Sequence, residues 1–327
     1  MSVLTKPYFH DEAAAFAKLE EIIWPKGPVC PKCGNKHSDK KIYDLNGVRS
    51  KPSKKHPEGV ERLGLKKCGA CRKQFTVRVG TVFEASHIPL HLWFQAVHLM
   101  CSSKKGISSH QLHRVLGLTY KSAWFMTHRI REAMRSGDLS APMGGEGGIV
   151  EIDETFIGLT EHGKAIKKKS GKVGTSGHKL AVLTLVDRTG EARSFHIDRA
   201  TKKIILPIVR ENLDHEARVV TDDAGHYREL DRDYMHAFVN HSAGEYGRGE
   251  ITTNAVEGFF SIFKRGMKGV YQHCSEKHLH RYLAEFDFRY SNRVKLGVDD
   301  EARTVRALEG IVGKRLSYRR SGAESCI

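Results

Sequence analysis

Gly148-Ile149-Val150-Glu151-Ile152-Asp153-Glu154-Thr155-Phe156-Ile157 is the stretch from which the fold is read. Apolar and polar residues alternate along it, which is the period of a β-strand. A second strand is expected at Lys179-Leu180-Ala181-Val182-Leu183-Thr184-Leu185-Val186-Asp187. Arg188-Thr189-Gly190 turns it into a third strand over residues 192–197. A helix is expected over 201–213, followed by a fourth strand over 217–222 that ends on Asp222.

This order, three strands, a helix and a strand, resembles that of a ribonuclease-H-like α/β domain with a mixed sheet flanked by helices. In such a sheet the first and fourth strands are neighbours, so Asp153 and Asp222 can converge. Phosphodiester chemistry wants such a convergence, because two divalent ions about 3.5–4 Å apart clamp the attacking and leaving oxygens. Hard Mg²⁺ prefers carboxylate oxygens. A third carboxylate is expected from a later helix. Asn254-Ala255-Val256-Glu257-Gly258-Phe259-Phe260-Ser261-Ile262-Phe263-Lys264-Arg265-Gly266 supplies Glu257, and Lys264 lies two helical turns beyond it on the same face.

The chain has 327 residues and a formal net charge of +16. The excess is uneven. Residues 1–83 hold 17 basic and 8 acidic residues, a net of +9; residues 84–140 hold 7 and 3, a net of +4. Residues 141–327 hold 30 and 27, a net of +3. The first two stretches look like modules for a polyanion, and the third is balanced like an enzyme domain. No run of 18 apolar residues marks a transmembrane helix, and the first residues lack the apolar core of a signal peptide. A cytoplasmic, nucleoid-associated protein is therefore expected.

Four of the seven cysteines form two pairs, Cys30-Pro31-Lys32-Cys33 and Cys68-Gly69-Ala70-Cys71. Each pair can present two thiolates to one tetrahedral metal, so one structural Zn²⁺ is expected. The polar residues 46–61 read as a loop inserted between ribbon strands. Cys101 and Cys274 read as small buried residues, and Cys326 as part of a tail.

Residues 88–136 show helical periodicity broken at Gly106 and Gly117. Helix, glycine-containing turn and helix form a helix-turn-helix-like pattern. Its second helix carries Lys121, His128, Arg129 and Arg131, and Lys121, Arg129 and Arg131 are expected to contact DNA. Met143-Gly144-Gly145-Glu146-Gly147-Gly148 reads as a linker. The expected division is a zinc-ribbon domain over 1–83, a helical DNA-binding module over 84–142, and a catalytic domain with a helical tail over 143–327.

The motifs Cys-Pro-Lys-Cys-Gly (30–34), Val-Glu-Ile-Asp-Glu-Thr-Phe-Ile-Gly (150–158), Thr-Asp-Asp (221–223) and the block over 253–273 carry a family resemblance. The chain resembles a DDE transposase of the IS1595 type, with an ISXO2-like catalytic domain and an N-terminal zinc ribbon. The resemblance spans residues 15–295. It implies Asp153, Asp222 and Glu257 as ligands of two Mg²⁺ or Mn²⁺ ions, with Lys264 as a DNA-contacting basic residue. Asp223 stays open as the second ligand, and Asn254 as the third. It further implies cleavage at insertion-sequence ends, joining of 3′-OH ends to target DNA, and a homo-oligomer on double-stranded DNA. A nuclease without strand transfer, and a DNA-binding regulator with a decayed catalytic domain, are the rival readings.

Residues 162–179 carry Lys164, Lys167, Lys168, Lys169, Lys172 and Lys179 and no acidic residue. They read as a mobile loop that grips the DNA backbone. Arg265, beside Lys264, joins the DNA-contacting set. His236 and His241 flank a short strand, and His241 is a candidate neighbour of the metals. Glu151, Glu154 and Asp187 read as surface or turn residues.

Overall fold

A computed structural model describes residues 3–54, 56–135, 141–171, 178–240, 243–245 and 247–316. Its contacts divide them into two compact units.

The first unit comprises residues 1–102, 108–134 and 300–327. It opens with α1, Glu12–Ile23, whose N-terminus is capped by Asp11 accepting from the Ala14 N–H at 2.7 Å. A three-stranded antiparallel sheet follows: β1 (Ile42–Asp44), β2 (Lys66–Cys68) and β3 (Gln74–Phe75). Its small core is Cys30, Ile42, Cys68 and Phe75, with Trp24 edge-on to Phe75. Residues 46–61 leave this sheet as an excursion between β1 and β2, closed by a bridge between Arg49 and Glu61.

Three helices come next: α2 (Leu90–Ser102), α3 (Ser109–Leu116) and α4 (Tyr120–Met134). Ser108 caps α3 by accepting from the Gln111 N–H, and Gly117 ends it in the left-handed conformation that a glycine adopts without strain. Thr119 accepts from the Ser122 N–H to start α4. The helix-turn-helix-like pattern is thus present, but its basic residues are not all outward. Arg129 is 4% exposed and Arg131 1%. The Arg129 guanidinium donates to the Glu84 carbonyl at 2.6 Å and lies over the Trp93 and Phe125 rings. Burial pushes its pKa down to about 10. Arg131 donates to Thr127 Oγ1 at 3.2 Å. Both expectations of DNA contact are corrected: these arginines fasten the unit from inside, and of the three only Lys121 is exposed.

The second unit comprises residues 103–107 and 135–299. Its sheet contains β4 (Ile149–Ile157), β5 (Leu180–Asp187), β6 (Ala192–Ile197), β7 (Arg218–Asp222) and β8 (Met235–Val239), in the order β6-β5-β4-β7-β8. β5 runs antiparallel to β4 and β6, while β7 runs parallel to both β4 and β8. Helices cover both faces. α6 (Lys202–Asn212) packs Ile205, Leu206 and Val209 on Val150, Ile152, Leu183 and Val219. On the other face α7 (Asn254–Gly266) and α8 (Leu279–Ser291) pack Phe259, Phe263, Leu283 and Phe286 on Ile157, Val182 and Val186. The alternation read along β4 is what splits its residues between these two cores.

Three local expectations are corrected here. The lysine-rich segment is not a loop over its first half: α5 spans Glu161–Ser170. Thr160 caps it by accepting from the Gly163 N–H, Lys167, Lys168 and Lys169 fill its last turn, and Gly171 closes it in a left-handed conformation. Lysine is a good helix former, and cations favour a helix C-terminus. Lys172 lies outside the described residues. The glycine run is not a free linker, since Met143 is buried and the Gly144 N–H donates to Asp187 Oδ2 at 3.0 Å. The C-terminal helix α9, Asp300–Glu309, belongs to the first unit, where His98 bonds Thr304 and Arg303 donates to the Cys101 carbonyl.

Gly144 has φ +78°, and a Cβ there would lie 2.6 Å from Ala217 Cβ. Gly145 has open space around it. Gly144→Ala is expected to destabilise the protein by about 1–3 kcal/mol in equilibrium denaturation, whereas Gly145→Ala leaves the midpoint within experimental scatter.

Candidate active site and zinc centre

Cys30, Cys33, Cys68 and Cys71 come together at one end of the ribbon sheet. The Cys30 and Cys71 sulfurs are 3.7 Å apart and those of Cys33 and Cys68 3.8 Å. Four sulfurs bonded to one zinc at about 2.3 Å sit at tetrahedral corners about 3.8 Å apart. The donor set therefore fits a tetrahedral zinc thiolate. Among the described residues this quartet is the one group of three or more His, Cys, Asp or Glu whose ligand atoms all lie within 4.8 Å. The two pairs differ in electrostatics. Backbone N–H groups of Cys71 and Ala70 help draw the Cys68 thiol down to about 7, whereas burial pushes Cys30 up to about 11. Bound metal would hold both as thiolates. His37, by contrast, accepts from the Ile42 N–H at 3.3 Å.

The carboxylates sit on the second unit's sheet. Parallel pairing sets Val150 beside Val219 and Glu151 beside Val220, and the same register carries Asp153 level with Asp222. Ile152 and Val219 point into the core beneath α6. By alternation Asp153 and Asp222 project from the opposite face, the one covered by α7. Glu257 is in the first turn of α7, where its carboxylate accepts from Thr253 Oγ1 at 2.8 Å. Asp153 accepts from the Glu154 N–H at 2.7 Å, and Asp222 from the Ala224 N–H at 3.1 Å.

Burial pushes the Asp153 carboxyl up to about 7, and the negative charges of Glu154, Asp222 and Glu257 push in the same direction. Asp222 and Glu257 thus both act on Asp153, although the three carboxylates are not gathered within 4.8 Å of one another as the four sulfurs are. Asp223 is exposed and engaged with Asn240 Nδ2 at 3.1 Å. Asn254 is exposed at the first position of α7. Lys264 lies on the same helix as Glu257 with its ammonium 5.8 Å from the Phe260 ring centre, and Arg265 is exposed and bonded to Ser261. Lys164, Lys167, Lys168 and Lys169 are all exposed on α5. His236 bonds Asp231 and Thr221, and His241 lies outside the described residues.

Sequence reasoning missed two residues beside this cluster. Glu151 is 1% exposed, and its carboxylate accepts from the Ala255 and Val256 N–H groups at 2.7 and 3.1 Å. Its other oxygen accepts from Arg188 Nε at 2.9 Å. The only signal for it was its position two residues before Asp153, on the same face. His226 bonds Glu154 Oε1 at 2.7 Å. That bond, with the charges of Asp222 and Asp153, raises its pKa. Glu154 and Asp187 are also corrected: both are engaged, Glu154 by His226 and buried Asp187 by the Gly144 and Thr189 N–H groups.

A mixed five-stranded sheet with carboxylates on one face stands in a chain that also carries a four-cysteine ribbon. Residues 146–291 match the model of the ISXO2-like transposase domain, and residues 10–74 match that of the transposase zinc-ribbon domain. The chain thus carries two segments similar to the two domains of IS1595-type, ISXO2-like transposases. It is 28% identical over 298 residues to an uncharacterized protein in the transposable element ISH50 of Halobacterium salinarum, covering 86% of this chain and 91% of that relative. No helix among the described residues is long and apolar enough to cross a membrane.

Two measurements test these sites. Metal analysis of the purified chain should find about one zinc, and Cys68→Ser should lose it together with thermal stability. In metal-free protein, the raised Asp153 pKa means that its folded state prefers the protonated form. Its stabilising contribution is complete below the ordinary carboxylate value of 3.8 and is lost as pH rises through about 7. Wild type should therefore lose melting temperature as pH rises from 3.8 to about 7 in chelator, and Asp153→Asn should flatten that decline.

Proposed function

We propose that the chain is a DNA transposase that cuts at the ends of an insertion sequence and joins the freed 3′-OH ends to target DNA. The observation that carries this reading is a shared face: Asp153 and Asp222 stand level on adjacent strands on the α7 side of the sheet, and the charges of Asp222 and Glu257 both act on Asp153. The match of residues 146–291 to the ISXO2-like transposase domain supports it. The strand order, with the second strand antiparallel and the first and fourth adjacent, supports a ribonuclease-H-like domain.

In this reading Asp153, Asp222 and Glu257 hold two Mg²⁺ or Mn²⁺ ions. Bound there, the ions would lower the pKa of the attacking hydroxyl and neutralise charge on the phosphate. Asp222 is preferred over Asp223 because its strand register sets it level with Asp153 while Asp223 is engaged with Asn240, and Glu257 over Asn254 because it carries a charge that acts on Asp153. In the first reaction water adds to phosphorus and a 3′ oxygen leaves as 3′-OH. In the second that 3′-OH adds to a target phosphorus and displaces the target's own 3′ oxygen. Both are in-line exchanges of one P–O bond for another, so no protein nucleophile is required.

Lys264 meets a phosphate beside the cluster, and α5 lays Lys164, Lys167, Lys168 and Lys169 along the backbone. The ribbon and the helical module, with Lys121, hold double-stranded DNA, in keeping with the positive excess of residues 1–140. The protein works as a homo-oligomer on paired ends, at the nucleoid.

The test is strand transfer with Mg²⁺, the DNA ends that flank the gene, and a target plasmid. Joined product is expected from wild type, and Asp153→Asn should neither cut nor join. Cutting without joining of a pre-cleaved 3′-OH end would make the protein a nuclease. Replacing Lys167, Lys168 and Lys169 by Ala should weaken DNA binding and lower the slope of log K against log salt by about 0.9 for each phosphate that is no longer neutralised.

A further inference from the structure

We infer that Glu151, clamped by Arg188, is the positioning residue that sets Glu257 against Asp153. This rests on the proposed metal-binding role of the acidic trio.

Helix α7 begins at Asn254, and Thr253, at its N-cap position, makes no side-chain cap bond to the helix backbone. The first turn therefore draws on a distant acceptor for its N–H groups. Glu151, about a hundred residues away in the chain, supplies it: one carboxylate oxygen takes both the Ala255 and Val256 N–H groups. A negative charge at this end also meets the positive pole of the helix. Arg188 closes the other side. Its Nε donates to the second oxygen of Glu151, and its Nη2 donates to the carbonyl and hydroxyl oxygens of Thr252 at 3.2 and 3.0 Å. Arg188 is itself fixed to the strand, because its N–H donates to the Ile149 carbonyl at 3.0 Å.

Residues 252–256 are thus held from two directions, by Glu151 on β4 and by Arg188 in the β5–β6 turn, which is bonded to β4. Glu257 is the next residue, one turn into the helix, and Asp153 is two residues along β4 from Glu151 on the same face. Glu151 is not itself available as a metal ligand, since both of its oxygens are taken by donors and its charge is balanced by Arg188. Its contribution is to fix where the Glu257 backbone starts.

Glu151→Gln keeps the shape and removes the charge. Whichever way the amide turns, its NH₂ faces a donor, either the α7 N–H groups or Arg188 Nε. The measurement is Mn²⁺ binding to the full chain without DNA, by calorimetry, alongside the Mg²⁺ dependence of cleavage. About tenfold weaker Mn²⁺ binding is expected, with the Mg²⁺ midpoint shifted by a similar factor and the rate at saturating metal within about threefold of wild type. Arg188→Met, which leaves the Glu151 bonds to α7 in place, should shift both in the same direction by less. It is also the deciding variant if Glu151→Gln does not fold.

Unchanged Mn²⁺ affinity in a folded Glu151→Gln, or in Arg188→Met where it decides, overturns the clamp. A fall in rate at every Mg²⁺ concentration with normal Mn²⁺ binding also overturns it. Asp153→Asn separates this from failure of the underlying reading. If that variant binds Mn²⁺ like wild type, the trio is not the metal site. If it loses Mn²⁺ while Glu151→Gln does not, only the clamp is wrong.

Discussion

Glu151 is a charged side chain with 1% of its surface exposed, and the second unit is organised around keeping it satisfied. A buried carboxylate left without partners costs several kcal/mol. Its partners come from two places: two N–H groups at the start of α7, and a guanidinium from the turn between β5 and β6. None of them is near it in sequence. The chain can bury this charge only when β4, the β5–β6 hairpin and α7 are all in place. That makes the junction of sheet and helix a single geometric unit, and the acidic cluster is built on it.

The two candidate metal centres solve different problems. The ribbon has a small core, and the spacing of its sulfurs suits a soft, tetrahedral ion that would tie β2 to the turn at Cys30–Cys33. The acidic cluster stands on a sheet whose two faces are already filled by large apolar side chains. There the apolar layers hold the scaffold, and Asp153 stands against the charges of Glu154, Asp222 and Glu257. The raised pKa of Asp153 reflects its burial together with that repulsion. Stability is supplied by the apolar layers, and the repelling charges are concentrated where chemistry is proposed.

Charge counts located the positive excess but not its exposure. Arg129 and Arg131 occur in a helix with the right pattern for DNA contact, yet they point inward. Arg129 lies against two aromatic rings, and both arginines donate hydrogen bonds inside the unit. The stretch from Asn46 to Glu61 was legible as an insertion because it is polar and lacks a strand period. The lysines of α5 were legible as a positive segment, but their helix was not. The glycines around them suggested irregular backbone, whereas Thr160 and Gly171 act as the two caps of a helix.

The sequence by itself determined the strands of the five-stranded sheet, the four thiolates and the family resemblance. Each of these is carried by local information: period-two alternation, short Cys-x-x-Cys spacing, and contiguous motifs. It also singled out Asp153, Asp222 and Glu257 as candidates, because each falls at a recognisable place on a strand or helix. Only the tertiary structure decided which other charges matter to them. Glu151 was indistinguishable from a surface residue on an alternating strand, and Arg188 from an ordinary turn residue. Their roles arise from donors and acceptors brought together across long stretches of chain. Local periodicity reports which face a side chain takes; it carries no information about what the fold places opposite that face.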